Sequence, residues 1–423
     1  VLSDESQSSG SAPVSIPAVV DIIGIGADGW QGLTSSAMDL IGQAGVVIGG
    51  QRQLDLLPGT VTAERVPWPS PLRPAVAGML GRYRSRGLVV LASGDPMFFG
   101  IGRALVEEIG PQSLRILPHP SSLSLACARL GWPLEDTGVV SLVGRPLASL
   151  TMSLHHRRRL LVLSSDATTP AAVAELLTDK GFGGSIVTVL DQLGGLGETR
   201  RSGIAQTWDT THPGLGDPLN VVGVECLLDL AGTRLGLAPG LADAAYEDDG
   251  QLTKREVRAV TISSLAPAPA ELLWDIGGGA GSIAIEWLRA HPSCRAVAVE
   301  SDHERAARIG RNAQALGVPG LQIVVGRAPA VLAQLPAPDA IFVGGGLTAD
   351  GMLDAVWAAL RPGGRLVANT VTLESEALLG QWYSRHGGEL IRIATSRAKA
   401  VGGFTGWQQA MPVTQWSVTK GTA

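Results

Sequence analysis

The stretch Leu272-Leu273-Trp274-Asp275-Ile276-Gly277-Gly278-Gly279-Ala280-Gly281-Ser282 is a short apolar run that ends in a glycine-rich turn and passes at once into a helix. A short apolar run bounded by glycine is a strand signal. Glycine lets the backbone turn sharply and come close to a ligand. The helix beginning near Ser282 aims its free N–H groups at whatever occupies the turn. Glu300 lies about 20 residues further on, at the end of the next apolar strand, where an acidic side chain can hold both hydroxyls of a ribose.

Outward from this turn, strands predicted near 272–276, 296–300, 322–325, 340–343 and 364–369 alternate with helices such as 304–316 and 350–360. Such alternation predicts an open parallel sheet covered on both faces. Late runs at 389–394 and 414–418 predict an added antiparallel edge. Ligands sit at the carboxyl ends of parallel strands, which adds further walls. Gly326-Arg327-Ala328 can border an adenine, Gly344-Gly345-Gly346 can face a donor or an acceptor, and Asn369-Thr370-Val371-Thr372 follows the fifth strand. Thr253 is expected to cap a helix carrying Lys254, Arg255 and Arg258, which either hold substrate carboxylates or form a solvated face.

A glycine turn also fits a dinucleotide enzyme, or mere packing of helix on strand. Asp275 favours another ligand: its carboxylate can receive the ammonium of the methionine part of S-adenosylmethionine, a group that nicotinamide cofactors lack. The residues expected around this ligand are Thr253, Asp275, Gly277, Gly278, Gly279, Ala280, Gly281, Glu300 and Ala328.

From Val19 to about Val224 a different alternation runs. A strand leads into Gly24-Ile25-Gly26, Thr34 caps a helix over 35–44, and further strands are predicted at 46–49, 88–92, 160–163, 186–190 and 220–224. The proline-rich stretch 111–120 is expected to divide this half into two lobes with a cleft between them. Ser93-Gly94-Asp95-Pro96 is a polar turn at a strand's end, where Asp95 can accept from a cationic ligand and Phe98-Phe99 can form an apolar wall. Ser121 and Ser122 offer hydroxyls to a ligand, or simply cap a helix. Thus Gly94, Asp95, Pro96, Ser121 and Ser122 define a second candidate pocket. His155-His156 precede Arg157-Arg158-Arg159; adjacent helical histidines do not face one point, so a solvated helix end is expected and no metal site.

With 423 residues, two domains are the natural prior. We expect a disordered tail over 1–17, a first domain over 18–230, a linker over 231–252 and a second domain over 253–423. The chain is 45% hydrophobic and 17% charged with net charge -5, which disfavours nucleic acid as a partner. Cys127, Cys226 and Cys294 are too few and too scattered for a disulfide framework or a metal cluster, which suits a reducing cytoplasm. No apolar run reaches the roughly 18 residues needed to span a bilayer, so no membrane association is expected. Neither half shows a Ser–His–Asp, Cys–His or metal-ligand spacing, and no catalytic acid or base is named.

The N-terminal half resembles the tetrapyrrole methylase family through Gly24-Ile25-Gly26, Leu33-Thr34, Gly94-Asp95-Pro96 with Phe99-Gly100-Ile101-Gly102, Pro120-Ser121-Ser122, the stretch from Ser141 to Arg145, and Leu219-Asn220-Val221-Val222. The C-terminal half resembles the decarboxylating methyltransferases of cobalamin biosynthesis. There the likeness runs through the stretch from Asp249 to Arg258, the 275–282 turn, Pro338-Asp339 to Gly346, and the stretch from Arg361 to Asn369. Ala27, Val143 and Arg327 depart from the family patterns, so a histidine role at 143 and an acidic adenine contact at 327 do not carry over.

The resemblance implies an α/β chain: a two-lobed tetrapyrrole methylase fold followed by a Rossmann-like class I methyltransferase fold. It implies S-adenosylmethionine in each domain, with S-adenosylhomocysteine as product. The implied substrate is a reduced precorrin macrocycle, methylated at meso carbon 5 by the first domain and at carbon 15 by the second, with loss of carbon dioxide from the ring C acetate. A homo-oligomer, dimer or tetramer, goes with it. The competing expectation is a class I methyltransferase acting on nucleic acid or on another small molecule.

Overall fold

The computed structural model describes residues 19–208 and 216–421; the tail expected over 1–17 lies outside them. The described residues form two compact units. One comprises 19–143, 159–171 and 186–225 apart from the undescribed segment, the other 144–158, 172–185 and 226–421.

The first unit holds two sheets. β1 (Val20–Ile25), β2 (Val46–Gly49), β3 (Glu64–Pro67), β4 (Leu88–Ser93) and β5 (Leu114–Leu117) pair in parallel in the order β3-β2-β4-β1-β5. β1 and β4 are apolar at nearly every position because both of their faces are covered. Alternate residues enter separate cores: Val20, Ile22, Leu88 and Val90 on one side, Ile23, Ile25, Val89 and Leu91 on the other. Thr34 caps the helix Ser35–Gln43 as expected, its Oγ1 accepting from Ala37 N at 3.3 Å. β6 (Gly138–Ser141), β7 (Arg159–Leu163), β8 (Ile186–Asp191), β9 (Thr199–Ile204) and β10 (Asn220–Glu225) form the second sheet in the order β6-β7-β10-β8-β9, where only β6 and β7 run parallel. Two sheets are present, and the proline-rich stretch lies between them in the chain: after it, the helix Ser122–Leu130 packs Leu123 and Ala126 against Leu161 and Leu190 of the second sheet. Residues 114–117 of that stretch add β5 to the first sheet, because Leu114 and Ile116 pack onto that sheet's core.

The second unit is built on seven strands in the order β13-β12-β11-β14-β15-β19-β16. These are β11 (Leu272–Ile276), β12 (Arg295–Glu300), β13 (Gln322–Val325), β14 (Ala340–Val343), β15 (Arg365–Thr370), β16 (Glu389–Ile393) and β19 (Val413–Thr419). β11 to β15 are parallel, and β19 runs antiparallel to both β15 and β16. The antiparallel edge is as expected, except that β19 lies inside β16. Between them β17 (Ser396–Val401) and β18 (Phe404–Gln409) form a separate hairpin that the sequence pattern did not announce. With almost every residue exposed, it has no apolar face to mark it.

The segment expected as a linker, 231–252, contains no strand, yet Leu241, Tyr246 and Leu252 are buried in the core of the second unit. Glu286, on the helix Ser282–Ala290, draws them in. Its carboxylate accepts from Gly240 N at 2.6 Å, Leu241 N at 3.0 Å, Tyr246 Oη at 3.0 Å and Arg258 Nε at 2.5 Å. Arg258, which the sequence offered for substrate carboxylates, is fully buried here, and its guanidinium also donates to the carbonyls of Leu241 and Thr253. Thr253 therefore does not cap the helix Arg255–Leu265: Lys254 stands at the cap, and Thr253 gives its carbonyl to Arg258. Nor do His155 to Arg158 end a helix; they form the loop before β7, which begins at Arg159.

Breaking a buried ion pair by removing one partner costs about 3–5 kcal/mol. Arg258→Ala is accordingly expected to destabilise the second unit by that amount in urea unfolding followed by tryptophan fluorescence. Exposed Arg255→Ala should stay within about 0.5 kcal/mol of the parent.

Candidate active sites

In the second unit the start of the turn after β11 is held by backbone bonds. Gly277 N and Gly278 N donate to Val299 O at 3.0 and 3.2 Å, and Gly344 N donates to Ile276 O at 2.9 Å, so the ends of β11, β12 and β14 are tied together. Gly277, Gly279 and Gly281 adopt φ values of 75°, 57° and 77°, which side-chain-bearing residues rarely tolerate. Space is equally tight. A Cβ at Gly277 would lie 2.7 Å from Gly345 N, and one at Gly279 would lie 2.8 Å from Gln251 O.

Two carboxylates frame this turn. Glu300 accepts from Gly279 N at 2.9 Å through Oε2 and from Asp302 N at 3.0 Å through Oε1. Asp275 accepts from Ala284 N at 3.0 Å through Oδ2, thereby capping the helix Ser282–Ala290, whose own N-cap, Gly281, has no side chain. Its Oδ1 is buried without a partner. Burial pushes the Asp275 carboxyl up to about 7, the Ala284 N–H opposes the rise, and the Glu300 charge adds to it. A buried carboxylate with a lone oxygen and a raised pKa is a ready receptor for a cation.

A strap over 247–252 lies across the turn. Asn312 fastens it: Nδ2 donates to Glu247 O and to Ala280 O at 2.9 Å each, and Oδ1 accepts from Glu247 N at 2.9 Å. Arg305 and Arg308 each reach Asp249 at 2.9 Å, and Arg311 reaches Glu247 at 2.7 Å. The Arg305 hydrogen bond foremost, with that of Arg308, holds the Asp249 carboxyl far below the usual carboxylate range. The strap carries Gln251 over Gly279 and leads into Thr253. Sequence reasoning missed Asn312, which looks like any polar residue on a solvated helix face. Ala328 is buried beyond the end of β13, and Arg327 beside it is exposed. Asn369 turns away into a bond to Thr261 Oγ1 at 2.8 Å, and Thr372 caps the helix Leu373–His386.

The first unit gathers its predicted residues as tightly. Gly94 N donates to Ile25 O at 3.1 Å, and a Cβ on Gly94 would stand 3.2 Å from Ser121 Cα. Gly24 faces the Gly94 carbonyl so closely that any side chain would strike it. Asp95 is turned inward on its own loop, Oδ1 accepting from Met97 N at 2.8 Å. Ser121 realises the capping alternative, its Oγ accepting from Ser124 N at 3.1 Å at the head of the helix Ser122–Leu130. Met97, Phe98 and Phe99 are exposed beside Asp95. The loop after β8 reaches the same place, since a Cβ on Gly195 would lie 2.9 Å from Ala27 O. Two residues that the sequence gave no reason to join also meet here: His119 Nε2 lies 3.3 Å from Asp28 Oδ2.

Gly279→Ala combines an unfavourable φ with a clash against Gln251. Backbone strain of this kind costs about 1–3 kcal/mol. The expected result is faster amide hydrogen exchange over 247–252 with the sheet unchanged, read by mass spectrometry.

Comparison with known proteins places both halves. Residues 19–206 match the tetrapyrrole (corrin/porphyrin) methylases, and residues 244–420 match the precorrin methyltransferase domain. The chain is 52% identical over 413 residues to the precorrin-6Y C(5,15)-methyltransferase (decarboxylating) of a Sinorhizobium species, spanning 98% of this chain and 99% of that one. A protein of the same name from Mycobacterium tuberculosis is 46% identical over 402 residues, 95% of this chain and 100% of the relative. Among solved structures, the C-terminal domain of precorrin-6Y C5,15-methyltransferase from Rhodobacter capsulatus is 45% identical; the match covers 44% of this chain and 100% of that domain, with a TM-score of 0.42. At this identity over nearly its whole length, the chain belongs to the precorrin-6Y C(5,15)-methyltransferase (decarboxylating) family.

Proposed function

We propose that the chain is a bifunctional methyltransferase of cobalamin biosynthesis. It methylates meso carbons 5 and 15 of a reduced precorrin and decarboxylates the ring C acetate. The observation that carries this reading is the pair of glycine cradles, each at the carboxyl ends of its own parallel sheet. The domain over 18–230 is assigned carbon 5, and the domain over 253–423 is assigned carbon 15 and the decarboxylation.

S-adenosylmethionine suits the residues present, and when bound it supplies an electrophilic methyl group. In the second unit the lone Oδ1 of Asp275 would hold the ammonium and Glu300 the ribose hydroxyls. Gly277, Gly278, Gly279, Ala280 and Gly281 would give close backbone approach, with Thr253 and Ala328 as walls. In the first unit Gly94, Asp95 and Pro96 with Ser121 and Ser122 would do the same work. Meso carbons of such a ring are enamine-like and already nucleophilic, so alignment is the chain's main contribution, with up to about 7–11 kcal/mol available from it. Lys254 and Arg255, both exposed, are the cations left near the second cradle for substrate carboxylates once Arg258 is excluded. Of the cations expected for the N-terminal half, Arg103 bonds Glu107 at 2.8 Å, and Arg145, which falls within the second unit, is exposed.

A homo-oligomer, dimer or tetramer, is part of this reading. The β17–β18 hairpin supports it: Val401, Phe404 and Trp407 are 64%, 84% and 79% exposed, and a bare two-stranded hairpin is marginal in water. No described helix is long and apolar enough to cross a membrane, and we place the enzyme in the cytoplasm.

The full chain, given reduced precorrin and labelled donor, is expected to yield a product with two added methyl groups and one lost carboxyl by mass spectrometry. Glu300→Ala should weaken donor binding in the second unit and stop the carbon 15 reaction, while carbon 5 methylation on a matched substrate persists. Equal loss of both reactions would refute separate cradles.

Asp275 sets a pH dependence. Its folded pKa lies above the ordinary carboxylate value, so below about 7 the free protein carries a proton that must leave before the carboxylate can meet an ammonium. Donor affinity in the second unit is expected to be about tenfold weaker at pH 6 than at pH 8. Calorimetry in buffers of different ionisation heat should show proton release at pH 6.

A further inference from the structure

We infer that His119, oriented by Asp28, takes the proton that carbon 5 must lose, which makes it a catalytic base of the first unit. This rests on the assignment of carbon 5 methylation to that unit.

The two proposed reactions differ in where the electrons come from. At either meso carbon a bond forms to the methyl carbon while the carbon–sulfur bond breaks with its electron pair left on sulfur. The ring is then a cation. In the carbon 15 reaction, the bond to the departing carboxylate returns an electron pair to the ring. No carboxylate leaves in the carbon 5 reaction. There the pair must come from the meso carbon–hydrogen bond, and the proton needs an acceptor.

Among the described residues one histidine, His119, lies beside the first cradle. His119 follows β5, and its N–H donates to Gly94 O at 3.3 Å, so its backbone is stitched to the polar turn of the cradle. Its ring passes over Gly26 to Asp28, where Nε2 lies 3.3 Å from Oδ2. Glycines clear the way: a Cβ on Gly26 would lie 2.5 Å from Asp28 Oδ1 and 2.6 Å from His119 Nε2, and one on Gly32 would strike the same carboxylate. Neither Gly26 nor Gly32 has a positive φ, so space for these two side chains is what their lack of a Cβ provides.

The pair has the polarity of a base and its orienting group. With Nε2 at 3.3 Å from the carboxylate, a proton carried on Nε2 would leave Nδ1 with the lone pair. Among the described residues no hydrogen bond engages Nδ1. The ring is 12% exposed, so it is shielded yet reachable, and Asp28 Oδ1 is buried with no partner. After proton transfer the imidazolium would rest against a carboxylate that already faces it.

The test uses the full chain and follows both carbons by product mass. Removal of a general base costs about 10²–10⁴-fold. His119→Ala is expected to slow carbon 5 methylation by at least about a hundredfold. Donor affinity by calorimetry should hold, as should carbon dioxide release, with added imidazole restoring part of the lost rate. Asp28→Asn removes the carboxylate beside the ring while keeping the side chain's size, and is expected to lower the carbon 5 kcat at least about tenfold with KM for the precorrin little changed. A His119→Ala rate within threefold of the parent overturns the proposal. So does loss of donor binding in step with the rate, or a carbon 5 kcat unchanged in Asp28→Asn. A parent chain that methylates neither carbon overturns the functional reading itself.

Discussion

Both cradles close at the carboxyl ends of their sheets because an inner strand, β1 or β11, carries or is followed by a glycine where it meets the turn of its neighbour. In the first unit Gly24 faces the Gly94 carbonyl, and a Cβ there would also lie 2.6 Å from His119 N. In the second, Gly277 faces Gly345, with 2.7 Å between a hypothetical Cβ and the amide nitrogen. The sheets differ in strand order, yet each brings the backbones of two adjacent turns into direct contact. Bare backbone offers N–H groups and room together, and a ligand can then sit on the sheet edge rather than on side chains. Everything else at either site hangs on that approach: the carboxylates, the strap and the capped helices are arranged around it.

Buried charge in the second unit is divided between two uses. Glu286 and Arg258 satisfy one another almost completely, with Gly240, Leu241, Thr253 and Tyr246 completing their bonds. Such a pair adds little net stability over an apolar core, but it fixes geometry, because each partner is costly to leave alone. What it fixes is the course of 240–253, and thus the strap above Gly279. Asp275 is the opposite case. One oxygen caps a helix and the other has no partner, so the folded chain bears a desolvation cost there that a bound cation would relieve. A satisfied pair that sets the frame and an unsatisfied carboxylate that waits for charge are different roles, and burial alone does not tell them apart.

The glycine turns, the strand alternation, Glu300, Asp275 and the antiparallel edge were legible because each is written in local pattern: period, punctuation, or residue type at a strand end. What was illegible depends on partners distant in sequence. Arg258 reads as a helical cation until Glu286, 28 residues away, claims it. Segment 231–252 reads as a linker because it lacks periodicity, and only the core of the second unit shows that Leu241, Tyr246 and Leu252 are packed. The β17–β18 hairpin escaped for the converse reason: an element with no buried face leaves no hydrophobic signature. His119 and Asp28 belong to the same class of misses. Nothing in either neighbourhood points to the other, and they meet because β1 and β5 are neighbours in the sheet.

On the proposed reading, one macrocycle meets two units whose polar equipment differs in kind. The carbon 15 reaction restores its own electron pair through decarboxylation, so its site needs cations for spectator carboxylates and dry surroundings for the one that departs. Among its described residues the second unit offers exposed Lys254 and Arg255, and carboxylate–arginine pairs on its strap, but no histidine–carboxylate pair beside its cradle. The carbon 5 reaction ends with a proton in excess, and the first unit has an imidazole backed by a carboxylate at the matching strand ends. Two folds joined in one chain are then not a duplication of effort. Each solves the same alignment problem with a glycine cradle, and they diverge only where the chemistry after methyl transfer diverges.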